Sequence, residues 1–161
     1  MTRFYSIDDA NAALGDVERI LMDLRDQRAE LIRLRDAVIE TTRDQPARAE
    51  RSSQENGRAT GPATEAGVEA DEAAEAGVEA EDRRRLRLRM QGLIDQMQAG
   101  VTRLVERDVT LRDIEAGLID FPALVNGRQV WLCWRLGEGG IAWWHELGDG
   151  FGGRAALVDL S

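Results

Sequence analysis

The chain has 161 residues, of which 43% are hydrophobic and 5% aromatic, with one cysteine, one histidine and a formal net charge of −9. A single cysteine excludes an internal disulfide framework and every multi-cysteine zinc ribbon or finger, and a single histidine excludes metal motifs built on a histidine pair. No stretch combines a basic segment, an apolar run and a small-residue cleavage site, and none approaches the ~20 apolar residues of a membrane span, so the expected setting is the cytoplasm with no membrane partner. Arginine supplies all 21 basic residues, which with the Ala, Gly and Asp content suggests a GC-rich bacterial genome.

The acidic excess is local. Glu65, Glu69, Asp71, Glu72, Glu75, Glu79, Glu81 and Asp82 follow one another without an intervening base, and the run Arg83-Arg84-Arg85-Leu86-Arg87-Leu88-Arg89 comes directly after them. Affinity for a phosphate backbone needs cations that displace counterions. Here the basic run is neutralised by the acids beside it, so nucleic acid is not an expected partner and a solvated helix face is.

Ser6-Ile7-Asp8-Asp9 reads as a helix start, with Ser6 capping free amides and the two carboxylates facing the positive end of the helix dipole. Apolar residues then recur at heptad spacing, Ile7, Leu14 and Leu21 in one row and Ala10, Val17, Leu24, Leu31 and Val38 in the other, with Ile20 and Leu34 widening the stripe. A helix over residues 1–44, about 55 Å long between its caps, is more than one small core covers, so it needs a partner helix. Residues 45–81 contain Pro46 and Pro62, few large apolar side chains and the repeat Ala-Gly-Val-Glu-Ala at 66–70 and 76–80. They read as a disordered acidic linker whose Ala/Glu-rich end joins the next helix. The partner helix occupies 82–108, with Leu86, Leu93 and Gly100 in one row and Met90, Met97 and Leu104 in the other. Gly92 and Gly100 each cost about 1 kcal/mol of helix propensity; close helix approach or a kink would account for them.

After Asp108 the period shortens to two. Runs at 118–124, 129–134 and 141–146 read as a β-meander within a C-terminal segment of residues 109–161. Asn126-Gly127 suits a type I′ hairpin turn, which needs positive φ at both central positions, and Gly137-Glu138-Gly139-Gly140 marks a second turn. All four tryptophans lie in these strands and point to both faces, so one face packs on the helices. The other needs a second cover: the C-terminal tail, another subunit or a ligand. The predicted fold is α+β, a long antiparallel, coiled-coil-like helical hairpin followed by a small antiparallel meander.

Gly117-Leu118-Ile119-Asp120-Phe121-Pro122-Ala123, Asn126-Gly127-Arg128, Leu132-Cys133-Trp134-Arg135-Leu136-Gly137-Glu138, Trp144-His145-Glu146 and Gly150-Phe151-Gly152-Gly153-Arg154 resemble, in order, a bacterial family known as domain of unknown function 2203. Phe4-Tyr5-Ser6-Ile7-Asp8-Asp9-Ala10-Asn11-Ala12-Ala13-Leu14 resembles its opening. The resemblance implies the hairpin-plus-strands layout and no particular reaction.

A two-residue turn at Asn126-Gly127 sets Asp120 opposite Cys133. The second turn has two readings: an odd-length loop puts His145 on the face of Cys133, and an even one puts Glu146 there. With His145 on that face, Cys133, His145 and Asp120 form a candidate nucleophilic arrangement. In the same register His145, Glu146, Glu138 and Cys133 are candidate ligands for zinc or iron, since imidazole, thiolate and carboxylate all bind these metals. The plainer reading makes Cys133 a small core residue and His145 a structural hydrogen-bonder. Arg135 and Arg154 are candidate anion contacts, or else structural partners of carboxylates and tryptophan faces. The leading functional expectation is an interaction or scaffolding module that forms a homo-oligomer or binds another protein through the sheet or the helical stripe. The alternative is a metal-dependent or Cys/His enzyme with its site on the strands.

Overall fold

A computed structural model describes residues 3–56 and 65–160, with side chains described for 3–42 and 73–160. Two long helices, α1 (Ile7–Asn56) and α2 (Glu65–Val105), form the helical hairpin. Five strands follow: β1 (Thr110–Asp113), β2 (Leu118–Val125), β3 (Arg128–Arg135), β4 (Trp143–His145) and β5 (Ala155–Ala156). They make one antiparallel meander in the order β1-β2-β3-β4-β5. The expected three strands are therefore the centre of a wider sheet. Its two outer strands, of four and two residues, are too short to stand out by alternation.

Both helices reach further than the apolar pattern implies, α1 beyond residue 44 and α2 from well before residue 82. The physical reason is that Ala, Glu and Arg are strong helix formers even where no large apolar side chain is present to reveal a buried face. Residues 57–64, the middle of the expected linker, lie outside the described residues.

The chain divides into two compact units, Met1–Ala29 with Asp95–Ser161, and Glu30–Ile94. In the first unit α1 is capped as its sequence predicts: the Asp9 amide donates to Ser6 Oγ at 3.0 Å and the Ser6 hydroxyl donates to Asp9 Oδ2 at 2.7 Å. Ala10, Leu14, Val17, Leu21 and Leu24 bury their heptad rows in a core with Leu104, Ile119, Phe121, Ala123, Val130, Leu132 and Trp134. A Cβ on Gly100 would lie 2.8 Å from Leu24 Cδ2, so this glycine allows close helix approach, whereas a Cβ on Gly92 would meet open space. α2 ends where Asp108 turns to φ 56 and the Val109 amide returns to the Leu104 carbonyl at 3.0 Å. The Tyr5 amide donates to the Pro122 carbonyl at 2.8 Å, tying the start of the chain to β2.

In the second unit Leu34 is buried, and Leu31, Val38, Leu86, Met90 and Leu93 are half-buried. Arg89 reaches across to Glu30 at 2.5 Å, and Arg85 pairs with Glu81 along α2 at 3.4 Å.

Asn126 (φ 51) and Gly127 (φ 78) form the left-handed turn that their dipeptide predicts. It fixes the register from Val125↔Arg128 through Asp120↔Cys133 to Leu118↔Arg135. β3 then pairs with β4 as Trp131↔His145 and Cys133↔Trp143. The odd-length reading of the second turn is thus the one the fold adopts. Opposed residues of an antiparallel pair share a face, so Asp120, Cys133 and His145 point to the same side of the sheet. The other side, carrying Ile119, Phe121, Leu132 and Trp134, is the core side.

Candidate metal centre

Asp120, Cys133 and His145 are all buried, and one ligand atom from each lies within 4.8 Å of the others. Three neighbouring strands contribute one residue apiece. Their alternation does the placing, because the residues between them belong to the hydrophobic core.

The orientation of His145 is set by its neighbour. Its Nδ1 lies 2.8 Å from the Glu146 main-chain oxygen, which only accepts, so Nδ1 carries the ring hydrogen. The remaining nitrogen, Nε2, faces Asp120 Oδ2 at 3.2 Å. In the neutral ring with that tautomer, two acceptors point at one another, an arrangement that holds when a proton or a metal cation lies between them. An Nδ1–H bound to a main-chain carbonyl is also how metal-ligating histidines are commonly aimed.

Asp120 Oδ2 accepts from Arg112 Nε as well, at 2.6 Å. Arg112 is the extra residue where the β1–β2 register shifts between Leu111 and Asp113, and such a bulge re-aims a side chain. Its guanidinium lies 5.1 Å from the Trp131 ring centre. Arg112 does not stand out in the sequence as a site residue. The one signal for its strand is the short alternation of apolar Val109 and Leu111 leading into Asp113-Ile114-Glu115-Ala116-Gly117, where Gly117 turns at φ 63.

Burial, followed by the nearby Asp120 carboxylate, pushes the Cys133 thiol up to about 12 against an opposing pull from Arg154. Without metal, Cys133 is therefore a neutral thiol at physiological pH and not a ready nucleophile. The unfolded thiol ionises near its ordinary 9.0 and the folded one near 12. Its contribution to stability is present below pH 9 and is lost as pH climbs from 9 toward 12, at about 1.4 kcal/mol per pH unit. Urea unfolding of metal-free protein at pH 7 and pH 10 should show this extra loss, with Cys133→Ala showing a correspondingly smaller one. Equal losses in both proteins would contradict it.

Of the remaining sequence candidates, Glu138, Glu146 and Arg135 are not brought into this cluster, whereas Arg154 reaches the Cys133 thiol. Glu138 accepts from Arg154 Nη1 at 2.8 Å, and Glu146 pairs with Arg128 at 2.7 Å. Each is already matched to a cation. Arg135 approaches Glu138 at 3.9 Å. Arg154 lies between the rings of Trp143 and Phe151, 4.7 and 4.1 Å from their centres. The Arg154 contacts fasten the C-terminal segment over part of the second face of the sheet, the first of the three covers that the strand pattern allows.

Beside the trio is a cavity of about 150 Å³ lined by Arg112, Leu118, Asp120, Cys133, His145, Leu147, Asp149, Gly150 and Phe151. A five-stranded meander packed by one face on helices, with three metal-ligand side chains and a cavity on the other, defines an α+β protein with a candidate ligand centre on its sheet. The chain belongs to the DUF2203 family, described as uncharacterized conserved proteins, whose model matches residues 3–157. No curated protein and no solved structure matches the chain. Among the described residues no helix is long and apolar enough to cross a membrane.

Proposed function

We propose that the protein is a metalloprotein with one zinc ion held by Asp120 Oδ, Cys133 Sγ and His145 Nε2. The observation that carries this reading is the contact of His145 Nε2 with Asp120 Oδ2. With Nδ1 committed to Glu146, the free ring nitrogen and the carboxylate converge on one point, next to a buried sulfur. Nitrogen, sulfur and oxygen donors together suit zinc, which accepts all three at tetrahedral positions. Three protein ligands leave a fourth position for water or substrate, the pattern of catalytic rather than structural zinc sites. When bound there, zinc supplies Lewis acidity and a water that ionises near neutral pH.

The surrounding residues support such a centre. Arg112 holds Asp120 in place through the oxygen that faces His145, while Phe151 and Leu147 line the cavity beside it. Elemental analysis of protein purified without an affinity tag is expected to find one zinc per chain, lost in His145→Ala. A metal-free wild type that also takes up no added zinc overturns the reading, and stoichiometric iron in its place would overturn the metal assignment.

A second reading, a self-associating module, is supported by Ile39 and Leu88, large apolar side chains left exposed on the helices of the Glu30–Ile94 unit. Sedimentation equilibrium of the wild type against Leu88→Glu distinguishes it, since a monomer in both removes it.

A further inference from the structure

The cavity beside the proposed zinc ligands has two polar groups that its own hydrogen bonding leaves unused. Arg112 spends Nε on Asp120, and its two terminal nitrogens have no partner among the described residues. Those nitrogens form the paired donors that match a carboxylate. The guanidinium is further oriented by the Trp131 ring and by the bulge that carries it. Asp149 also lines the cavity, and its carboxylate has no partner among the described residues. Its position is held by a tight turn: the Asp149 amide donates to the Glu146 carbonyl at 3.1 Å and the Gly153 amide to the Gly150 carbonyl at 2.8 Å. A Cβ on Gly153 would lie 3.0 Å from Asp149 Cβ, so glycine lets the turn close. The other walls, Leu118, Leu147 and Phe151, are apolar.

Arg112 is 44% exposed at its side chain and Asp149 is exposed at the rim of the cavity, so a molecule entering from solvent meets a guanidinium fork that can take an anion and a carboxylate that can take a hydrogen-bond donor on that same molecule. The size is limiting as well, since 150 Å³ is the liquid volume of about five waters. We propose that the cavity binds a small carboxylic acid that also carries a hydroxyl or ammonium group, with the carboxylate on Arg112 and the donor on Asp149. Hydroxy acids and amino acids of a few carbon atoms are this class. The inference deepens the zinc reading and rests on it, because it places the bound acid next to the open metal position.

Calorimetric titration of zinc-loaded protein with acetate, glycolate and glycine tests it. Glycolate or glycine should bind at least tenfold more tightly than acetate. Arg112→Gln and Arg112→Lys should each weaken binding at least tenfold, and Asp149→Asn should remove the preference for glycine over acetate, each titration being made on protein loaded to one zinc per chain so that lost metal is not read as lost binding. Simple chelation of the metal by the acid would be insensitive to Arg112. Binding that persists in Arg112→Gln, or no preference over acetate, therefore overturns the inference while leaving the zinc reading in place. A wild type that takes up no zinc overturns the zinc reading, and this inference falls with it.

Discussion

Replacing Trp134 by alanine is expected to destabilise the sheet-bearing unit by about 4 kcal/mol, the range for emptying a large aromatic site in a packed core. Trp134 is only 1% exposed, and it pairs with Ile119 across the β2–β3 ladder. Its indole N–H also donates to the Gly139 carbonyl at 2.9 Å. That bond ties the core to the second turn, and this turn sets the register that brings His145 beside Cys133. Urea unfolding monitored by circular dichroism measures the loss, and Trp134→Phe should recover most of the packing but not the turn. A loss below about 1.5 kcal/mol in Trp134→Ala would mean that the core collapses around the gap and that the turn is held elsewhere.

The second large effect is at Asp120. Asp120→Ala leaves His145 Nε2 buried without a partner and frees Arg112 Nε. Arg112 is 44% exposed at its side chain and turns to water, but His145, at 2%, cannot. The expected cost is about 3 kcal/mol of unfolding free energy in the metal-free protein, most of it from the stranded imidazole. The double variant Asp120→Ala/His145→Ala should be less destabilised than the two single losses combined. Additive losses would show that the carboxylate and the ring do not act as a pair.

Much of this arrangement is legible in the sequence. The heptad rows identify the faces of α1 and α2 that enter the core, and Ser6 marks where α1 begins. The Asn126-Gly127 dipeptide sets the pairing of Asp120 with Cys133, because a two-residue turn leaves a single register. The pairing of β3 with β4 is not legible in the same way. The loop after Arg135 is rich in glycine, and its path is determined by distant groups: Asn11 Oδ1 accepts the Ile141 amide at 2.8 Å, and Trp134 holds Gly139. Local sequence does not encode such long-range anchors.

Arg112 is hidden in the sequence because β1 is short and bulged, so its alternation is broken at the residue that matters. Proximity in sequence makes Glu138 and Glu146 plausible metal ligands, but Arg154 and Arg128 claim them in space. A scarcity of large apolar residues marks the expected linker; the helix at its Ala/Glu-rich end is legible there, and the continuation of α1 to Asn56 is not. Asp120 reads from the strand register as a partner of Cys133 and His145, and in space its carboxylate lies within 4.8 Å of both, where the proposed metal set uses it as a donor.

Cobalt(II) substitution tests the metal centre most directly, because its spectrum reports donor type and geometry together. Protein reconstituted with one cobalt per chain should show the intense visible absorption of a four-coordinate ion and a sulfur-to-cobalt charge-transfer band in the near ultraviolet. Cys133→Ser should lose the near-ultraviolet band, and His145→Ala should lose the bound ion. A folded wild type that leaves cobalt with the weak spectrum of the hydrated ion would contradict the account.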